Sequence, residues 1–215
     1  MTRPTRYGGD AGQAFPIYIT VVAGLLFLAF AYLAVGQAAA NRNGAQTAAD
    51  AAALAAAQDT RDQLAGRWAE DVLDPAKWQD VFDGIGVEFD GCWRAEELAA
   101  QNDAAVDGCG MAEPLGYTVT VTSTKPVGDS IVPGTEDVKS KASATAVIES
   151  RCTFELPGEE GGDENEPGDG NDVLPLPRLT CGDENWDPDP EDPTTLPDPE
   201  DLFDVHLADS PANDE

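Results

Sequence analysis

Histidine is almost absent from this 215-residue chain, which has one, His206. Acid–base catalysis near neutral pH and most nitrogen-ligated metal sites draw on imidazole, so both lose their usual residue. Asp204 and His206, two apart on an alternating strand, would point to one face, but no activated Ser or Cys nucleophile accompanies them. The pair reads as a solvated strand face. No catalytic and no cofactor-binding residue is expected, and the chain is not expected to be an enzyme. Bases are scarce as well: 12 Lys and Arg stand against 41 Asp and Glu, for a net charge of −29. Nucleic acid is excluded as a natural partner, because phosphate binding needs cationic surface. The same balance argues against adsorption on anionic lipid. No CxxC pair occurs among the four cysteines, which speaks against zinc. Asp163 and Asn165 begin like a calcium loop, but Pro167 takes the fifth position and Leu174 the twelfth, so the motif fails and no metal site is expected.

Long apolar runs are equally few, and the one present organises the rest. Residues 15–35 contain no charge and are long enough to cross a bilayer as a helix. The Leu, Ile, Phe and Val residues from Ile17 to Val35 favour insertion by roughly 3–7 kcal/mol in sum. Pro16 suits a first helical turn, where its missing N–H costs nothing. Tyr18 and Tyr32 lie about 21 Å apart along a helix, one for each interface. A buried helix of a soluble protein and a signal peptide cut after Ala38-Ala39-Ala40 are the alternatives. The uninterrupted helix pattern past Ala40 favours an anchor. Arg3 and Arg6 precede the span and Arg42 follows it, placing the N-terminus in the cytoplasm.

From Gln37 to Gln58 the chain is nearly all alanine, the best helix former. Gly36, Ala40, Gly44, Ala48, Ala52 and Ala56 recur every four residues, a spacing that lets helix backbones approach closely. Alanine offers little side chain to bury against a core. The face is therefore expected to pack against a partner helix, of another membrane protein or of a second copy in a homo-oligomer. A strict four-residue step drifts about 40° per turn, so a merely alanine-rich helix fits the same residues.

Further along, Leu64, Trp68, Val72 and Leu73 continue a helix on or near one face. Asp74-Pro75 opens a short helix through Phe82 that Gly84 and Gly86 end, and residues 93–101 are a third candidate. Trp68, Trp78 and Trp93 read as core. Residues 117–125 alternate strictly, with Tyr117, Val119 and Val121 on one face. Residues 141–154 read as a second strand with Ala144, Ala146, Ile148 and Phe154 in register, pairing antiparallel with the first. Residues 202–207 alternate again and offer a third. Residues 157–175 hold almost nothing apolar and are expected to be disordered. An even count of separated cysteines suits disulfides in an oxidising compartment. Of the three possible pairings, Cys92–Cys109 and Cys152–Cys181 each close a local loop and are favoured.

The expected class is α+β: a long N-terminal transmembrane helix continuing as an alanine-rich helix, then a small disulfide-stapled extracytoplasmic domain with an antiparallel sheet and an acidic insertion. The expected divisions are a leader at 1–14, the span at 15–38, the rod at 39–74 and the domain at 75–155. The insertion at 156–175, a return segment at 176–209 and a tail at 210–215 follow.

Gln46-Thr-Ala-Ala-Asp-Ala-Ala-Ala-Leu54, after a Gly12-Gln-Ala-Phe-Pro16 leader and one apolar span, resembles the N-terminal region of TadE/TadG-like proteins of tight adherence (Tad) pilus-assembly systems. The resemblance covers roughly residues 9–58. It implies a single-pass envelope protein, a structural or assembly component working with other Tad membrane proteins of a Flp-type pilus or secretion apparatus. Prepilin-type processing would need Glu five residues beyond the cleaved glycine, where Gly12 and Gly9 give Ile17 and Ala14. The other functional class is a surface binding module whose acidic tail engages calcium, wall polymer or a basic protein. For the topology, the intact mass of membrane-extracted protein is expected to retain residues 1–40; a species beginning near Asn41 overturns the uncleaved anchor.

Overall fold

In the computed structural model, which describes residues 14–85, 90–126, 137–156, 176–189, 192 and 195–209, helix α1 (Ala14–Glu70) runs unbroken through 57 residues. At about 1.5 Å per residue it is roughly 85 Å long. Asp71 caps its last turn by pairing with Arg67 at 2.9 Å, and Pro75 forbids continuation. A 3-10 turn (Pro75–Lys77) leads into α2 (Trp78–Phe82), which ends at Gly84 with φ +67°. Asp74 precedes this turn without a side-chain capping bond; its carboxylate meets Lys77 at 3.1 Å instead. Hydrogen bonds to Asp71, then Asp74, hold the Lys77 ammonium above its ordinary pKa. Helix α3 (Cys92–Gln101) follows.

Four antiparallel strands form the main sheet, in the order β1 (Ala104–Ala112), β2 (Gly116–Ser123), β3 (Lys141–Ser150) and β7 (Phe203–Leu207). Helices α1 and α3 cover one face of it. The alternation of β2 sets that arrangement: Tyr117, Val119 and Val121 are buried toward the helices, while Thr118, Thr120 and Thr122 face outward. Outside, Thr118 and Thr145 share a hydrogen bond of 2.8 Å across β2 and β3.

Two expectations about strands change. Strand β1 had no signature in the sequence, because Gly108, Gly110 and three alanines are weak strand formers and Asp107 sits in a bulge between Val106 and Gly108. Residues 141–154 are two strands rather than one. The chain turns at Arg151, whose N–H bonds Leu202 O at 2.9 Å, and β4 (Cys152–Phe154) enters a second sheet with β5 (Leu179–Cys181) and β6 (Glu184–Trp186). Cys152 and Cys181 are direct cross-strand partners there and form one disulfide; Cys92 and Cys109 form the other, tying α3 to β1. Each loop closure is worth about 3 kcal/mol by chain entropy. A four-residue helix, α4 (Pro199–Leu202), held by a capping box between Asp198 and Asp201, delivers the chain to β7. The acidic insertion at 157–175, the leader at 1–13 and the tail at 210–215 lie outside the described residues.

Beyond the sheet, an aromatic cluster closes the core. Trp68 meets Trp78 at 5.3 Å, Trp78 meets Phe154 at 5.2 Å, and Phe82 meets both Phe154 and Phe203. Leu64, Trp68 and Val72 are buried, but Leu73 is exposed. Trp93, expected in the core, is exposed as well: α3 turns Ala95 and Ala99 inward, and Trp93 lies off that face, stacked by Arg94.

The tightest packing is between backbones. A Cβ added at Gly91, at the head of α3, would lie 2.3 Å from Ala56 O of α1. Gly91→Ala is expected to cost about 1–3 kcal/mol by forcing the helices apart. Gly66→Ala on α1, where nothing lies within 4 Å, is expected to be neutral or to stabilise by up to about 1 kcal/mol. Thermal unfolding of both variants in detergent checks the difference.

Candidate assembly interface along helix α1

Helix α1 has three zones. Between Phe15 and Val35 its large apolar residues are bare: Phe27 is 70% exposed and Leu25 63%. This stretch belongs to a helix long and apolar enough to cross a membrane, and its most apolar part is not buried. In the second zone, from Ala45 to Ala57, Ala48, Ala49, Ala52, Ala53, Ala56 and Ala57 have no exposed surface. The third, from Thr60 to Trp68, carries Leu64 and Trp68 into the aromatic cluster.

The middle zone revises the expectation about the small-residue face. Ala48, Ala52 and Ala56 are buried by the chain's own sheet and α3, so they are not open to a partner helix. Alanine does contribute little bulk, but the opposing elements supply it through Tyr117, Val119, Val121 and Ile148. Small side chains on α1 let that surface come close, and ordering them costs no rotamer entropy. Gly36, Ala40 and Gly44, the other half of the series, remain exposed, and nothing lies within 4 Å of a Cβ built at either glycine. The drift of a four-residue step around the helix puts the two halves on different faces.

A buried polar node fixes the height at which α1 meets the domain. Thr60 Oγ1 donates to Tyr117 Oη at 3.0 Å, and Gly91 N–H donates to the same oxygen at 3.0 Å. One phenol thus joins α1, β2 and the entrance of α3. Nearer the N-terminal end, Gln46 Nε2 reaches Ser143 O of β3 at 3.4 Å and Asp50 Oδ1 at 2.8 Å.

The remaining sequence candidates lie apart from this axis. Asp204 and His206 do share one face of β7, with His206 Nδ1 2.9 Å from Asp204 Oδ2, and both are exposed at the sheet edge. Among the described residues no group of three or more His, Cys, Asp or Glu is placed to hold a metal ion. Arg178 and Asp187 pair across the β5–β6 hairpin at 2.7 and 3.0 Å, and this hydrogen-bonded contact holds the Asp187 carboxyl below its ordinary value. The Thr122 hydroxyl, with Lys141 behind it, does the same for Asp107 in the β1 bulge.

Comparison with known families bears on α1 alone. Residues 12–59 match the family model Tad, described as "Putative Flp pilus-assembly TadE/G-like". Over these residues the chain is similar to that family. The TadE/G-like segment takes in the bare apolar zone and the buried alanine zone and stops one residue before Thr60 of the polar node. The sheet and both disulfides lie beyond it. No curated protein and no solved structure matches the chain. The matched family is described as one of pilus assembly.

Tyr117→Phe is expected to leave the Thr60 hydroxyl and the Gly91 N–H without their acceptor, at a cost of about 1–3 kcal/mol. Adding Thr60→Val removes one of the stranded donors and should return part of the loss. Chemical denaturation of the two variants measures both.

Proposed function

We propose that the protein is a single-pass, membrane-anchored assembly component of a Tad/Flp-type pilus or a related secretion apparatus. Its N-terminus is cytoplasmic and its disulfide-bonded domain extracytoplasmic. One observation carries the reading: from Ala14 on, the segment similar to the TadE/G-like family lies in a single helix whose first part is bare and apolar and whose second part is in the core of a folded domain. Two disulfides among the described residues, with no free cysteine, support an oxidising compartment for that domain. Arg3 and Arg6 ahead of the span support the orientation.

The work of such a component is to present a domain at a fixed place and to join other spans. Hydrophobicity does not hold two spans together in lipid, whose tails are as apolar as leucine; close contact through small residues does. The face open for this is Gly36, Ala40 and Gly44, which takes a helix of another Tad membrane protein or of a second copy. Gly36→Leu and Ala40→Leu are expected to lower recovery of Tad components in a detergent pulldown while leaving thermal unfolding of the domain unchanged. Ala48→Leu, within the buried zone, is expected to destabilise the domain itself by about 1–3 kcal/mol. Recovery of the same partners at wild-type yield by both exposed-face variants overturns the interface.

A further inference from the structure

The two edges of the main sheet are not alike. Strand β7 is five residues long and carries Asp204 and His206, the short and charged form by which natural edges avoid pairing with another chain. Strand β1 is nine residues long, holds no Pro or Lys, and pairs only with β2 among the described residues. Its one charge, Asp107, does not guard it. That carboxylate accepts from the Thr122 hydroxyl and meets Lys141 at 3.3 Å, over the sheet rather than beyond its edge. The bulge between Val106 and Gly108 interrupts the ladder, but past it residues 108–112 run in unbroken register against residues 116–120. In an antiparallel strand alternate residues turn their N–H and C=O away from the neighbour already present. A row of such groups is a template for one more extended backbone.

The surroundings of residues 108–112 say what kind of strand fits. Gly108, Gly110 and Met111 are exposed, and nothing lies within 4 Å of a Cβ built at either glycine. Cys109 and Met111 stand opposite Val119 and Tyr117, so both face the helix side of the sheet. The Cys92–Cys109 bridge, with Cα atoms 5.9 Å apart, brings Trp93 in the first turn of α3 to the same stretch. Trp93 and Met111 are each 55% exposed, and both residue types are enriched where proteins meet. Around them Asp90, Glu96, Glu97 and Glu113 are exposed, while the sole base from residue 90 to 113, Arg94, is held by Glu97 and the Trp93 ring. A second copy of the chain would set these acids against themselves. It also meets a geometric obstacle, because β1 runs the same way as α1: Ala104 lies beside Asn41 and Gly44, and Met111 is opposite Tyr117, the partner of Thr60. Two β1 strands paired antiparallel about a two-fold axis would point their apolar α1 zones in opposite directions.

We propose that residues 108–112 of β1 take an extended segment of another protein as a further strand of the main sheet. Main-chain bonds run along the open edge, apolar side chains of the segment cover Met111 and Trp93, and its Lys or Arg residues meet the exposed acids. Strand addition of this kind draws affinity from the backbone and selectivity from alternate side chains. It needs only the sheet, so its failure leaves the assembly reading of α1 untouched.

The test uses the full chain in detergent, with a short peptide of alternating valine and lysine as the probe. The same peptide N-methylated at every residue keeps the side chains and charge but has no backbone donor. Amide hydrogen exchange is followed by mass spectrometry. Exchange across residues 104–112 is expected to slow several-fold with the probe and to stay unchanged with the N-methylated peptide. Strand β7, the guarded edge, is expected to show no change with either. Met111→Lys, which gives β1 the residue that natural edges use as a guard, is expected to abolish the slowing and to leave thermal unfolding unchanged. No slowing at millimolar probe, equal slowing with the N-methylated peptide or at β7, or undiminished slowing in Met111→Lys overturns strand addition. Slowing that appears without peptide as the protein is concentrated assigns the edge to a second copy and overturns the proposal as well.

Discussion

The fold depends on how closely a helix can approach a sheet. Ala56 presents its carbonyl where the head of α3 has no side chain at all, and the neighbouring alanines leave room for Tyr117, Val119, Val121 and Ile148. With larger residues on α1 this surface would stand off, and the Tyr117 hydroxyl would lose the reach by which it accepts from both Thr60 and Gly91. Dispersion contacts are short-ranged, so a small separation forfeits much of their strength. The disulfides then act on what is already close: one fastens α3 to β1, and the other fixes the small sheet beside the aromatic cluster.

Much of this was legible residue by residue, and the failures have physical causes. The alternation of Tyr117, Val119 and Val121 gave the buried face of β2, since a half-solvated antiparallel strand has no other use for it. Local loop closure pointed to the cysteine pairs that the structure contains. Strand β1 escaped because its neighbours, not its own residues, hold it extended; β2 supplies the ladder and the Cys92–Cys109 bridge the anchor. The break at Arg151 is likewise tertiary, since Leu202 takes its N–H from 51 positions along the chain. Trp93 misled because size alone suggests burial, while α3 buries its alanines.

The alanine face is the more instructive error. Asking what alanine brings to a contact led to a partner helix, whereas the bulk comes from the other surface. A periodic series such as Gly36 to Ala56 looks like one interface in sequence. On a 3.6-residue helix it is two, and the domain takes only the second.

Helix α1 passes from its bare apolar zone into the domain core with no break, glycine-rich linker or proline between them. A domain on a flexible tether samples every bearing about the membrane normal; this one has no joint about which to swivel. Each residue of helix turns by about 100°, so the azimuth of Gly36 dictates the azimuth of the sheet. A neighbour that grips the face proposed for α1 therefore also aims the outward threonine face of β2 and β3, like a compass needle fixed to its shaft.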